Sequence, residues 1–428
     1  MRYFAPVIII FIAVFFISCG GGGGDPIIPT DDLVLAGKTA LNAGDGTTAK
    51  TNFQAALAQS GNNPDANFGM AFVELMGSAN DILLFLSAQN DPYFRNVGWF
   101  FVDPLMKNTG QYSELLDLSR LLSYTPDYDV EDISLEAVRL KIVEVLGKLE
   151  IIDGYLEKAI SATNIDDSWQ FTVLKDWNEP TAGQVQISHT DLIALSSVLK
   201  FALATGYLSV AYSPGQLTIH QNEWGELEIL GFDLQTEEFT DTNQDSFVDL
   251  HEIATQAGIS ADFGVHAPNG SSHLNKSVNY FRNSITYFRD AVDGYLSTDA
   301  PLTHWAFDSD ITEDYNEFKA DWNSYTRAYV GDIINAFTDG ATFGIRPGLL
   351  EDSPDLADDP GADFSIRLNL NDFIKNLPQD ARNFPVRFVA DGFGGLELPA
   401  LVNDAFPDTT ILGLFPDGLT QEQYDMMY

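Results

Sequence analysis

The stretch Leu135–Leu156, LEAVRLKIVEVLGKLEIIDGYL, decides the fold class. Its apolar residues Leu135, Val138, Ile142, Val145, Leu149, Ile152 and Leu156 recur at alternating spacings of three and four. That is the period of a helix with one buried face, so the spacing predicts a single long amphipathic helix. Leu274, Val278, Phe281, Ile285, Phe288, Val292 and Tyr295 repeat the rhythm, as do Tyr315, Phe318, Trp322, Tyr325 and Tyr329. Both stripes read as helix cores and not as cofactor boxes. Between the first stripe and the second, Leu192 to Tyr212 is apolar nearly all round, with Lys200 as its one charge. A helix apolar on every side is buried inside a bundle, and the lysine and the short length argue against a membrane span.

Upstream, Leu33 to Gln59 reads as a helical hairpin broken at Gly44-Asp45-Gly46. Gly37 in its first helix, Ala49, Phe53 and Ala56 in its second, and Pro64 after it, resemble the tetratricopeptide repeat. A second first helix starts at Asp65, with Ala66, Gly69, Met70 and Phe72 in similar places, after which the pattern dissolves. Small residues at these positions let two helices approach closely, which is a packing role. Repeat arrays need about three units to bury a continuous face, so a plain hairpin within a larger bundle is the other reading.

Strand alternation is confined to Leu217-Thr218-Ile219 and Leu227-Glu228-Ile229 about a turn at Asn222 to Gly225, and to Ile366, Leu368 and Leu370. The expected fold is mainly α, a helical-hairpin bundle with a minor β-hairpin and short C-terminal strands. Its expected organisation is a signal peptide over 1–18, a tether over 19–31, a repeat-like helical region over 32–165, a second helical region over 166–350, and an acidic loop with a C-terminal segment over 351–428.

One stretch carries recognisable chemistry. Asp241-Thr-Asn-Gln-Asp-Ser-Phe-Val-Asp-Leu-His-Glu252 places oxygen side chains where a twelve-residue loop needs them to surround a small hard cation, which takes six to eight oxygens at about 2.3–2.6 Å. The stretch resembles the EF-hand calcium loop. The resemblance implies side-chain ligation by Asp241, Asn243 and Asp245, the carbonyl of Phe247, a water-mediated contact from Asp249 and both carboxylate oxygens of Glu252, with calcium as the cofactor. Ser246 departs from the family's glycine and is expected in the left-handed region, at a cost of about 1–2 kcal/mol. The upstream hairpin replaces the entering helix, whereas Asp249 to Gln256 reads as the exiting one. A lone loop of this kind is expected to act as a structural staple, and an acidic turn without an ion is the other reading of the same residues.

The N-terminal residues resemble a bacterial lipoprotein signal: Arg2, an apolar run from Val7 to Phe16, then Phe16-Ile17-Ser18-Cys19 and five glycines. The resemblance implies cleavage before Cys19, lipidation of its thiol, and a flexible tether of Gly20 to Gly24. Gly20, where an aspartate would argue for inner-membrane retention, favours the outer membrane. Cys19 is also the single cysteine, which removes disulfides, zinc–thiolate sites and cysteine nucleophiles.

Acidic residues number 62 against 22 basic ones, a formal charge of −40 spread along the chain, so nucleic acid is excluded as a partner and the membrane is reached only through acyl chains. Hydrophobic residues make up 45% of the sequence, enough for a packed core. His251-Glu252 lacks the downstream histidine of a zinc protease helix, and His266 and His273 flank Asn269-Gly270, read as a loop, without a third ligand. Asp308 to Asp314 reads as a helix N-terminus capped by Asp310, and Asp355, Asp358, Asp359 and Asp363 as an acidic loop. No nucleophile elbow, phosphate loop or dinucleotide fingerprint occurs. The sequence therefore leads to a non-enzymatic envelope lipoprotein that binds or scaffolds other envelope proteins or a surface ligand. An envelope hydrolase acting on polysaccharides or esters, and calcium-dependent surface adhesion, are the alternatives.

Overall fold

The computed structural model describes residues 28–88, 133–163, 169–174, 184–221, 227–230, 239–297, 318–345, 364–390 and 396–427. The chain is mainly helical, with small antiparallel strand pairs between the helices. The readings of Cys19, of the tether up to 27, of Asp308 to Asp314 and of Asp355 to Asp363 lie outside the described residues.

Helices α1 (Thr30–Asn42) and α2 (Gly46–Gln59) form the expected hairpin, and α3 (Pro64–Ala88) follows. The turn between α1 and α2 uses Gly44 at φ +75°, and Asp45 caps α2 by accepting the Thr48 N–H at 2.9 Å. Asn63 caps α3 through the Ala66 N–H at 2.9 Å, and Pro64 occupies the first helical position, where no N–H is needed. The repeat-like small residues have a local cause. Phe53 is fully buried between α1 and α3, and a Cβ on Gly37 or Gly69 would lie 2.6 or 2.4 Å from its ring. Only glycine fits on either side of that ring.

The long stripe forms α4 (Leu135–Ala162), preceded by the short strand β1 (Ile133–Ser134). Val145, Leu149, Ile152 and Leu156 are buried as the spacing requires, and Leu135, Val138 and Ile142 are half-buried. A hairpin that the sequence did not announce, β2 (Gln170–Leu174) and β3 (Gln184–Ser188), separates α4 from α5 (His189–Ser209). It lies against the N-terminal helices. Phe171 meets Phe68 edge-on at 4.8 Å, Trp169 donates to Asp65 at 2.7 Å, and Lys38 reaches Asp65 at 2.7 Å while standing 4.5 Å from the Phe171 ring centre.

Helix α5 is central. Ser188 and Asp191 close a reciprocal capping box at its start, and Tyr295 donates to the buried Asp191 carboxylate at 2.7 Å. Among the described residues α5 is the one helix long and apolar enough to cross a membrane. Lys200 at its middle is 3% exposed and ion-pairs with Asp153 and Glu157 of α4. The helix ends at Ser209, short of the expected Tyr212, because Tyr212–Pro214 forms strand β4.

The expected hairpin is β5 (Thr218–Gln221) with β6 (Leu227–Leu230), to which β1 adds a third strand. Strand β7 (Val248–Asp249), helix α6 (Leu250–Gln256) and β8 (Phe263–His266), which pairs with β4, lead into α7 (Gly270–Ser297). Helix α7 starts earlier than its apolar stripe, so His273 lies inside it and is buried, whereas the sequence placed it in a loop. The helix packs along α5; Leu274, Val278, Val292 and Tyr295 are buried, but Phe288 is 48% exposed.

The third stripe is corrected more sharply. Trp322–Thr326 is a π-helical turn leading into α8 (Arg327–Ala336), and the wider turn breaks the three-and-four spacing. Trp322 is buried and donates to Asp293 at 2.9 Å, whereas Phe318, Tyr325 and Tyr329 are 41%, 51% and 56% exposed; Val330 takes the inward place.

Strands β9 (Ala341–Ile345) and β10 (Phe364–Leu368) pair with Ala341 opposite Leu368 and Ile345 opposite Phe364. Leu370 does not continue β10: Asn369 caps α9 (Leu370–Lys375) by accepting the Asp372 N–H at 2.9 Å. Strand β11 (Arg387–Ala390) pairs with both β7 and β12 (Leu396–Glu397), and α10 (Val402–Ala405) and α11 (Gln421–Met427) close a small C-terminal core of Ile366, Val402, Phe415, Leu419 and Tyr424. Among the described residues, the main core is one cluster that joins α1, α2, α3, α4, the β2–β3 pair and α5.

Candidate metal centre

The loop 241–252 is wound around its own carboxylates. Asp241 accepts the N–H groups of Gln244 at 2.6 Å and Asp245 at 3.3 Å on one oxygen and that of Ser246 at 2.6 Å on the other. Asn243 accepts from Asp245 N–H at 2.9 Å, and Asp245 from Phe247 N–H at 3.0 Å. These side-chain-to-backbone bonds draw the chain into a tight ring, as short Asp and Asn side chains do. Ser246 stands at φ +80°, the left-handed turn that the motif demands at its sixth place, and Gln244 at φ +64° adds a second that the spacing does not foretell.

The exit is built as the sequence implies. Asp249 accepts the Glu252 N–H at 2.8 Å and Glu252 accepts the Asp249 N–H at 3.1 Å, a reciprocal cap that starts α6. Glu252 is 6% exposed, and its other oxygen accepts the Thr242 hydroxyl at 2.6 Å and the N–H groups of Thr242 and Asn243 at 2.8 and 3.0 Å. The last residue of the loop is thereby bonded to its second and third. Burial opposes charge on Glu252, but the Thr242 hydroxyl and the N–H groups of Asp249, Thr242 and Asn243 together hold its carboxyl below the usual range.

Two structural partners were invisible to the spacing. Val248, buried, pairs with Phe388 of β11, and Asp249 pairs with Arg387, whose guanidinium lies 5.3 Å from the centre of the Phe247 ring. A strand more than a hundred positions away thus flanks the loop. Residues 378–390 hold the same neighbourhood elsewhere: Gln379 accepts the His266 N–H at 2.7 Å, Pro378 the Tyr212 hydroxyl at 2.7 Å, and Arg382 donates to the Ala261 carbonyl at 2.9 Å. Nothing local announces these contacts.

The donors Asp241, Asn243, Asp245, Asp249 and Glu252 share one short loop with the Phe247 carbonyl, and their all-oxygen chemistry suits calcium over a transition metal. Among the described residues, however, no three His, Cys, Asp or Glu side chains converge as a bound ion requires. The carboxylates of Asp241 and Glu252 serve main-chain N–H groups. A carboxylate oxygen carries two lone pairs, so an N–H donor and a cation can share it. His266 sits in β8 with its Nδ1 3.1 Å from the Ser271 hydroxyl, and burial lowers the basicity of both it and His273. No protein-family model, curated protein or solved structure matches this chain.

Proposed function

We propose that this chain is a lipid-anchored outer-membrane protein whose helical body binds or scaffolds other envelope components, without catalysis of its own, and is fastened by one structural calcium ion. The observation that carries the reading is the loop itself, in which a left-handed Ser246 and a buried Glu252 bonded back to Thr242 and Asn243 accompany the oxygen ligand order of a calcium loop. The ion's ligands would be Asp241, Asn243, Asp245, Phe247, Asp249 and Glu252. A cation there offsets the mutual repulsion of four carboxylates gathered in twelve residues, in a chain whose formal charge is −40.

The role is that of a staple. The loop's β7 pairs with β11, so an ion would stiffen the joint between the helical body and the C-terminal segment. The repeat-like helices support scaffolding more than groove binding, because Trp169 and Phe171 of the β2 segment already pack on α1 and α3. The anchor would be Cys19, whose lipidation metabolic labelling with a fatty acid tests; a Cys19→Ser chain should take up no label. For the ion, calorimetry with calcium is compared in the wild-type chain, Asp245→Ala and Glu252→Ala. One site of unit stoichiometry, absent from both variants, is expected. Equal heats in all three would remove calcium from the proposal, and capture from envelope extract that recovers no partner at any calcium level would remove the binding role.

A further inference from the structure

Away from the loop, α4 presents Glu150, Asp153 and Glu157 along one face toward α5 and α7. Lys200 of α5, 3% exposed, touches Asp153 and stands 2.6 Å from Glu157. From α7, Lys276 reaches Glu150 at 2.7 Å, Tyr280 donates to Glu150 at 3.3 Å and Tyr287 donates to Glu157 at 2.9 Å. Tyr207 of α5 lies 3.0 Å from Lys276. The carboxylates of α3, Asp65 and Glu74, are engaged elsewhere, with Lys38 and Lys50.

Among the described residues, charge along this seam does not balance, since three carboxylates face Lys200 and Lys276. The tyrosines cannot supply the missing positive charge. Burial and the neighbouring carboxylates push the hydroxyls of Tyr207, Tyr280 and Tyr287 up, so they stay neutral, Tyr280 and Tyr287 donating and Tyr207 accepting from Lys276. The surplus negative charge falls where it is worst solvated, at Asp153, which is 8% exposed and has Glu150 and Glu157 within one to two helical turns on its own helix.

We propose that the α4–α5–α7 seam is a proton site: on mild acidification Asp153 takes one proton from solvent, Lys200 remains in contact with Glu157, and the three helices pack more firmly. Burial, the largest influence on Asp153, raises its carboxyl above the ordinary 3.8 despite the Lys200 charge and hydrogen bond. A raised carboxylate adds stability that is fully present below the unfolded value and is lost as pH rises through the folded one. The seam therefore tightens as pH falls toward about 4 and slackens above the folded value, opposite to an ordinary salt bridge.

The test is thermal melting of the full chain between about pH 8 and pH 4, beside Asp153→Asn, which mimics the protonated acid. The variant should melt higher than wild type at the alkaline end and converge with it at the acid end. Relief of the whole-chain charge acts on both alike, so the difference isolates the site. Parallel curves, or a variant that melts lower at every pH, would overturn the proposal. Should Asp153→Asn fail to fold, carboxyl 13C NMR of the aspartate-labelled wild-type chain decides. One aspartate titrating above the rest supports the proposal, and none doing so rejects it.

Discussion

Phe53 and its two glycines show how much one ring can dictate. With Cβ positions 2.6 and 2.4 Å from the ring, Gly37→Ala and Gly69→Ala must push α1 or α3 outward. Each is expected to cost about 1–3 kcal/mol, and Phe53→Ala, which leaves a cavity, about 3–5 kcal/mol, both read by chemical denaturation. Glu252 makes a different prediction. Glu252→Ala strands the N–H groups of Thr242, Asn243 and Asp249 in a partly buried loop, a loss of about 1–3 kcal/mol at neutral pH. Its carboxyl is depressed in the folded chain, so its contribution is present above the ordinary 4.5 and is lost as pH falls through the lower folded value. Denaturation of wild type and variant in calcium-free buffer should converge in strong acid and diverge above about pH 5. These residues were legible because Gly37 and Phe53 act between neighbouring helices and the loop acids within twelve residues, where spacing and geometry coincide.

Among the elements, legibility follows regularity. Helix α4 and the hairpin β5–β6 follow their periods, and the sequence locates both. The π-helical turn at Trp322–Thr326 inserts extra backbone into an aromatic stripe, so a period-based reading buries Tyr325 and Tyr329, which the fold exposes. Leu370 fails similarly: Asn369 offers its side chain to the Asp372 N–H and converts a continuing strand into a helix start. Strands β7, of two residues, and β11, whose Phe388, Val389 and Ala390 do not alternate with polar residues, carry no period to detect, and their pairing joins positions far apart. That pairing yields a prediction from the calcium reading. Calcium should slow amide hydrogen exchange in β7 and in β11 together, whereas protection confined to 241–256 would show that the loop and β11 are uncoupled.

For the whole molecule, a ligand that binds only the folded chain at a hundred times its dissociation constant stabilises by about 2.7 kcal/mol. A calcium staple should therefore raise the melting temperature of the chain, and magnesium, which prefers a rigid octahedral shell, should do less. Unequal legibility at this scale has a plain cause. Composition and charge describe a surface, but the seam of α4, α5 and α7 exists only after three helices separated in sequence have met.

Lys200 has a second consequence, which belongs to the time before that meeting. As the chain emerges from the ribosome, α5 is a stretch of 21 residues apolar enough to cross a membrane, with neither Asp153 nor Glu157 yet beside it. A lysine near the middle of such a stretch costs about 2.5–3.5 kcal/mol on insertion scales, which weighs against its entry into lipid. The residue that later joins α4 to α5 is thus expected to bias α5 toward water before the helices meet. A Lys200→Leu chain should reveal this by trapping newly made protein in the bilayer, where it resists alkaline carbonate extraction.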